Sequence, residues 1–96
     1  NEMSIKYQSI FDYIDHRDVF IIERYIIDNV KRHWKRITVP KPGDIVLFRI
    51  NGRLIHIGIV IDRNQFLHTL QGKNSCIERL SDPRWSKRIG GYYEFQ

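Results

Sequence analysis

A chain of 96 residues, 42% of them hydrophobic, has room for one small core and not for two. Its 16 lysines and arginines against 11 acidic residues leave a formal charge of +5, which suits an anionic partner such as nucleic acid or a wall polymer, and equally plain solubility. The single cysteine, Cys76, excludes an internal disulfide and a zinc cluster built from cysteines, and no run of 18 apolar residues proposes a membrane span.

Residues 1–14 place Tyr7, Ile10, Phe11 and Ile14 at the i, i+3, i+4, i+7 spacing of a short helix. Asp15-His16-Arg17-Asp18 reads as the start of a longer one, with Asp15 as N-cap and Asp18 adding negative charge to the first turn. That helix is expected from about Arg17 to about Lys35. Val19, Ile22, Ile26, Val30 and His33 form one stripe, and Phe20, Ile27 and Trp34 a second beside it. An apolar face this wide predicts burial against a sheet on more than one side. The run Lys31-Arg32-His33-Trp34-Lys35-Arg36 could grip phosphates and stack a base. Cations complementing a helix C-terminus, with Trp34 packed inside, explain the same run more simply. Nucleic acid is not the expected partner.

Pro40-Lys41-Pro42-Gly43-Asp44 breaks the pattern and launches alternation. Strands are predicted near 44–50, 53–61 and 65–70, joined by the hairpin signal Asn51-Gly52 and by a three-residue loop, Asp62-Arg63-Asn64. Gln71-Gly72-Lys73-Asn74 turns again into a strand from Ser75 to Leu80. Ser81 to Trp85 is a loop with a short helical turn, and Tyr92 to Phe95 a last strand after Gly90-Gly91. The class is α+β: an N-terminal helix on an antiparallel sheet of about five strands. Residues 1–96 are expected to be one domain. There is no signal-peptide pattern, and the start at Asn1, with the only methionine at Met3, suggests a piece cut from a longer chain.

His56 and His68 lie twelve residues apart on the second and third strands. His56, Gly58 and Val60 share one strand face, and Ile55, Ile57, Ile59 and Ile61 the other. With a three-residue loop, Ile61 opposes Gln65, and His68 falls opposite Gly58. The two imidazoles become diagonal neighbours on one face, beside a gap that Gly58 leaves open. Half-buried and surface positions without chemistry would produce the same pattern.

Three blocks, Pro42-Gly43-Asp44-Ile45-Val46-Leu47-Phe48, His56-Ile57-Gly58-Ile59 and Phe66-Leu67-His68, together resemble the NlpC family of papain-like cysteine peptidases in order and spacing. The ending, Arg79-Leu80, Trp85, Arg88 and Gly91-Tyr92-Tyr93, looks like the NlpC-type domain of lambda-type phage tail assembly proteins, and the likeness runs from about Tyr13 to Tyr93. The resemblance implies that His56 is the general base and His68 its orienter. It also implies a nucleophilic cysteine directly after Asp18, where this chain has Val19. A helix N-terminus and a nearby histidine favour the thiolate, so the chemistry explains that placement. Valine has no nucleophilic atom, and Cys76, on a later strand, reads as an inert small residue. The expectation is therefore a catalytically silent domain serving as an assembly part of a phage tail tip. Its partners would be other tail-tip proteins and its location the virion tail, or the host cytoplasm during assembly. The alternative is a peptidoglycan peptide hydrolase, with cell-wall peptide as partner. No cofactor and no metal are expected.

Overall fold

The chain leaves the helix at His33, short of the expected Lys35. In the computed structural model, which describes residues 19–69 and 75–95, α1 runs Val19–Arg32. The segment predicted helical around Tyr7–Ile14, the Asp15 cap and Asp18 lie outside the described residues. The last helical hydrogen bond is donated by His33 N to Asn29 O at 2.8 Å. Beyond it β1, Trp34–Ile37, opens the sheet. The aromatic and β-branched residues from Trp34 to Val39 favour an extended chain. Trp34 is buried as expected, but from an edge strand: its ring meets Tyr25 of α1 and Phe95 edge-on, at 6.5 and 6.1 Å. His33 is exposed and leaves the first stripe. The second stripe also fails, because Phe20 and Ile27 are 63% and 40% exposed.

The remaining elements are β2 (Ile45–Ile50), β3 (Arg53–Val60), β4 (Gln65–Thr69), β5 (Ser75–Arg79), the short α2 (Pro83–Ser86) and β6 (Ile89–Phe95). They form one antiparallel six-stranded sheet in the order β1-β6-β2-β3-β4-β5. The strand that sequence reasoning missed is β1. Consecutive strands β2 to β5 form a meander, and β6 returns to lie between β1 and β2.

Both faces of the sheet are covered. On one, Ile22 and Ile26 of α1 pack on Ile45, Leu47, Ile57, Ile59 and Tyr93. On the other, Val46, Phe48, Val60 and Phe66 pack with Leu80 and Trp85. This is why Ile45 to Phe48 reads as an unbroken apolar run rather than an alternation: all four are fully buried. Each such side chain contributes roughly 1.5–3 kcal/mol by leaving water.

The turns set the registers. Asp44 is buried, and its Oδ2 accepts from Lys41 N at 2.6 Å. Gly43 N donates to Val60 O and Val60 N to Asp44 O, both at 2.8 Å, so the Pro-Gly-Asp turn clips the start of β2 to the end of β3. Asn51 and Gly52 both take positive φ, 53° and 78°, the handed turn that suits two twisted strands. Asp62 Oδ1 accepts from Asn64 N and Gln65 N, both at 2.9 Å, which closes the β3–β4 loop. Asn64 then ties that loop to the chain after β5: its O accepts from Leu80 N and its Oδ1 from Ser81 N. Asp82 caps α2 through Arg84 N, with Pro83 in the first turn, and this one turn lays Trp85 on the second face of the sheet.

Candidate functional site

The Asp62–Asn64 loop decides where the histidines meet. Ile61 N donates to Gln65 O at 2.9 Å, and the pairs Val60↔Phe66 and Ile59↔Leu67 follow. The side chain of His68 therefore shares a face with that of His56, and His56 Nε2 lies 2.8 Å from His68 Nδ1. The gap expected beside Gly58 does not exist. A Cβ at Gly58 would stand 2.7 Å from Phe66 Cδ2 and 3.0 Å from Val46 Cγ1. The missing side chain makes room for the Phe66 ring, which lies 4.7 Å from the His68 ring.

The contact continues past the two histidines into residues that sequence reasoning did not single out. His68 opposes Cys76 in the β4–β5 register, and Glu78 follows two residues on, so both side chains project beside the His68 ring. His68 Nε2 is 2.5 Å from Glu78 Oε2 and 3.5 Å from Cys76 Sγ. The other carboxylate oxygen of Glu78 accepts from Arg84 Nη2 at 2.7 Å, and Asp82 Oδ2 holds the same nitrogen at 2.9 Å. Trp85 roofs the pair: its indole stacks on His56 at 5.3 Å and 18°, and stands edge-on to His68 at 4.8 Å. The indole Nε1 is buried and has no hydrogen-bond partner among the described residues.

This row fixes where the protons sit. A carboxylate can only accept, so His68 Nε2 carries the hydrogen it gives Glu78. A neutral His68 then offers a lone pair at Nδ1, which accepts from His56 Nε2. The lone pair of His56 is thereby left on Nδ1, the atom free to act as a base. Burial, and after it the neighbouring His68, together lower the pKa of His56 to about 4. Burial also lowers His68, against the opposing pull of Glu78. Both rings are neutral at pH 7. His68 is fully buried, so its orientation is set by packing as well as by its two polar partners.

Val19 is the first residue of α1; its side chain, like Asp18, lies outside the described residues. The first turns of α1 lie against the start of β3. Arg53 Nη1 bonds Glu23 Oε1 at 3.0 Å, and the Arg53 guanidinium sits 4.5 Å over the Phe20 ring. The helix thus begins beside Arg53, the first residue of β3, and packs on the sheet face opposite to the one that holds the His56 ring. The basic run Lys31–Arg36 keeps its cations exposed but buries Trp34, so it has no aromatic platform for a base.

A family model described as the NlpC/P60 family matches residues 9–94. The chain is similar to the murein DD-endopeptidase MepS/murein LD-carboxypeptidase of Escherichia coli (strain K12), 40% identical over 48 residues. That stretch is 50% of this chain and 26% of the relative. It is also similar to a probable endopeptidase NlpC homolog of Haemophilus influenzae, 38% identical over 47 residues, 49% of this chain and 24% of the relative. The matched stretch spans about a quarter of each of these relatives. No helix among the described residues is long and apolar enough to cross a membrane.

Proposed function

Because the chain belongs to the NlpC/P60 family, we propose that its site is directed at the peptides of peptidoglycan, with the base arm of a cysteine peptidase intact and the nucleophile replaced. The observation that carries this reading is the row His56–His68–Glu78, which leaves a base lone pair on His56 Nδ1. In this reading His56 is the general base, and His68 orients it. Glu78 holds His68 in the tautomer that the base needs, and Arg84 holds Glu78. Position 19, at the start of α1, is where a thiol would meet both the positive end of the helix and His56. Val19 fills that position, and a valine cannot attack a carbonyl.

The names of the relatives, murein and NlpC-type endopeptidases, favour this wall-directed reading over the expected tail-tip assembly role. The assembly role rests on the likeness of the segment from Arg79 to Tyr93 and on Val19 standing where the family has its nucleophile, and recovery of the chain in assembled phage particles would be its test.

The wall-directed reading is tested at position 19. As it stands the domain is expected not to cleave wall peptides. Val19→Cys removes about one methyl's worth of volume and should cost roughly 0.5–1.5 kcal/mol of stability. The new thiol should alkylate faster than Cys76 at neutral pH, and should slow when His56→Ala is added. Hydrolysis of a wall peptide by V19C that disappears with H56A is the positive outcome. A folded V19C protein whose thiol reacts at the same rate with and without His56 would remove position 19 from the site.

A further inference from the structure

The register that builds the base arm also gathers a second donor set that sequence reasoning did not anticipate. His68 Nε2, Cys76 Sγ and a Glu78 carboxylate oxygen all lie within 4.8 Å of one another. We infer that His68, Cys76 and Glu78 form a binding site for a zinc(II) ion, and that zinc there switches off His56 as a base by reversing the hydrogen bond between the two histidines.

Imidazole, thiolate and carboxylate are the three ligand types zinc takes, and three protein ligands with an open fourth position suit it. Sγ and Nε2, 3.5 Å apart, already have about the separation that two ligands hold across one tetrahedral zinc. Nε2 and Oε2, 2.5 Å apart, share a proton and must open by roughly 1 Å when the metal takes its place. Glu78 can make that adjustment by side-chain rotation, since it is partly exposed and His68 is not. Thiolate and carboxylate together neutralise the dication. Arg84 and Asp82 orient the carboxylate from behind, as outer partners commonly do at metal sites.

The consequence for His56 follows from proton bookkeeping. Without metal, the ring hydrogens sit on His68 Nε2 and His56 Nε2. Zinc takes the lone pair at His68 Nε2, so that hydrogen leaves and a neutral ring must carry its hydrogen on Nδ1. His68 Nδ1 receives it from His56 Nε2 along the existing 2.8 Å contact. His56 Nε2 becomes the acceptor, and His56 Nδ1 takes up a proton from water. The two rings hold two ring hydrogens before and after, and one proton, that of the thiol, is released. His56 Nδ1 has changed from lone pair to donor. The metal site stands without any assumption about peptidase chemistry; calling its effect an off-switch rests on the wall-directed reading above.

Cobalt(II) and zinc(II) titrations of the unmodified chain, kept reduced, test both parts without measuring hydrolysis. Cobalt should produce a thiolate-to-metal charge-transfer band and the visible bands of a tetrahedral ion, both bleached by zinc. Cys76→Ser should abolish the charge-transfer band and weaken zinc binding on the order of 100-fold, and Arg84→Ala should weaken it about tenfold. If C76S does not fold, Glu78→Gln gives the same test, with zinc binding weakened by about 10–100-fold. Nitrogen-15 spectra of the imidazoles should show His56 Nδ1 passing from unprotonated to protonated as zinc is added. Absence of the charge-transfer band, or equal zinc affinity in the wild type and whichever of the two variants folds, overturns the site. A band with His56 Nδ1 unchanged overturns the switch.

Discussion

At the residue scale, the position most tightly bound to the site is one with no side chain. Gly58 was expected to leave open space beside the histidines; instead Phe66 occupies it, with its Cδ2 2.7 Å from where a Cβ would be. Phe66 cannot retreat easily, since its ring is wedged among Phe48, His68 and Trp85 at 5.0, 4.7 and 5.8 Å. Gly58→Ala should therefore cost about 1–3 kcal/mol through overpacking. It should also move the His68 ring, because Phe66 and His68 pack directly. Thermal denaturation reads the first effect and the imidazole resonances of His68 the second. A G58A protein with wild-type stability and unshifted His68 signals would show that the space is open after all.

At the scale of elements, the site is assembled by two hairpins and one turn of helix, and they differed in how clearly the sequence announced them. The β3–β4 hairpin was legible because Asp62-Arg63-Asn64 separates two alternating runs, and its length alone puts His56 and His68 on one face. The β4–β5 hairpin was not legible. A four-residue turn at 71–74 pairs Leu70 with Ser75 and sets His68 against Ile77; the observed pair is His68↔Cys76. A slip of one residue between these registers turns Cys76 and Glu78 away from the site, so the turn by itself does not identify either as a neighbour of His68. The edge strand β1 was hidden because Trp34 fits the helical stripe and the strand equally well. The turn α2 matters for what it carries. Trp85 is 6% exposed and roofs both histidines, yet its Nε1 lacks a partner among the described residues. Trp85→Phe keeps most of the apolar volume and removes the buried donor, so it should cost no more than about 1 kcal/mol. Trp85→Ala leaves a cavity over His56 and should cost about 3–5 kcal/mol. Equal losses from the two variants, measured by denaturant unfolding, would mean that the ring contributes no packing to the site.

At the scale of the whole molecule, the sheet is covered on both faces and one of those faces contains neutral imidazoles, so the stability of the fold depends on pH. Unfolded, His56 takes up its proton near the ordinary value of about 6.5; folded, burial and the neighbouring His68 hold it down to about 4. Above pH 6.5 the ring is neutral in both states and contributes no pH dependence. As the pH falls below 6.5 the unfolded chain binds a proton that the folded chain refuses, and stability is lost. The loss continues to about pH 4, where the folded ring is protonated too, and it then levels off. For His56 the whole span is worth roughly 3 kcal/mol in the metal-free protein. His68, also lowered by burial, pulls in the same direction. Against a typical total of about 5–15 kcal/mol, a loss of that size is easily visible. Denaturant midpoints measured between pH 7.5 and 4 should fall steeply below 6.5, and His56→Gln should flatten most of that fall because glutamine does not titrate. A wild-type midpoint that stays constant from pH 6.5 to 4.5, or a decline that H56Q leaves unchanged, would show that the imidazole accepts its proton without leaving the fold.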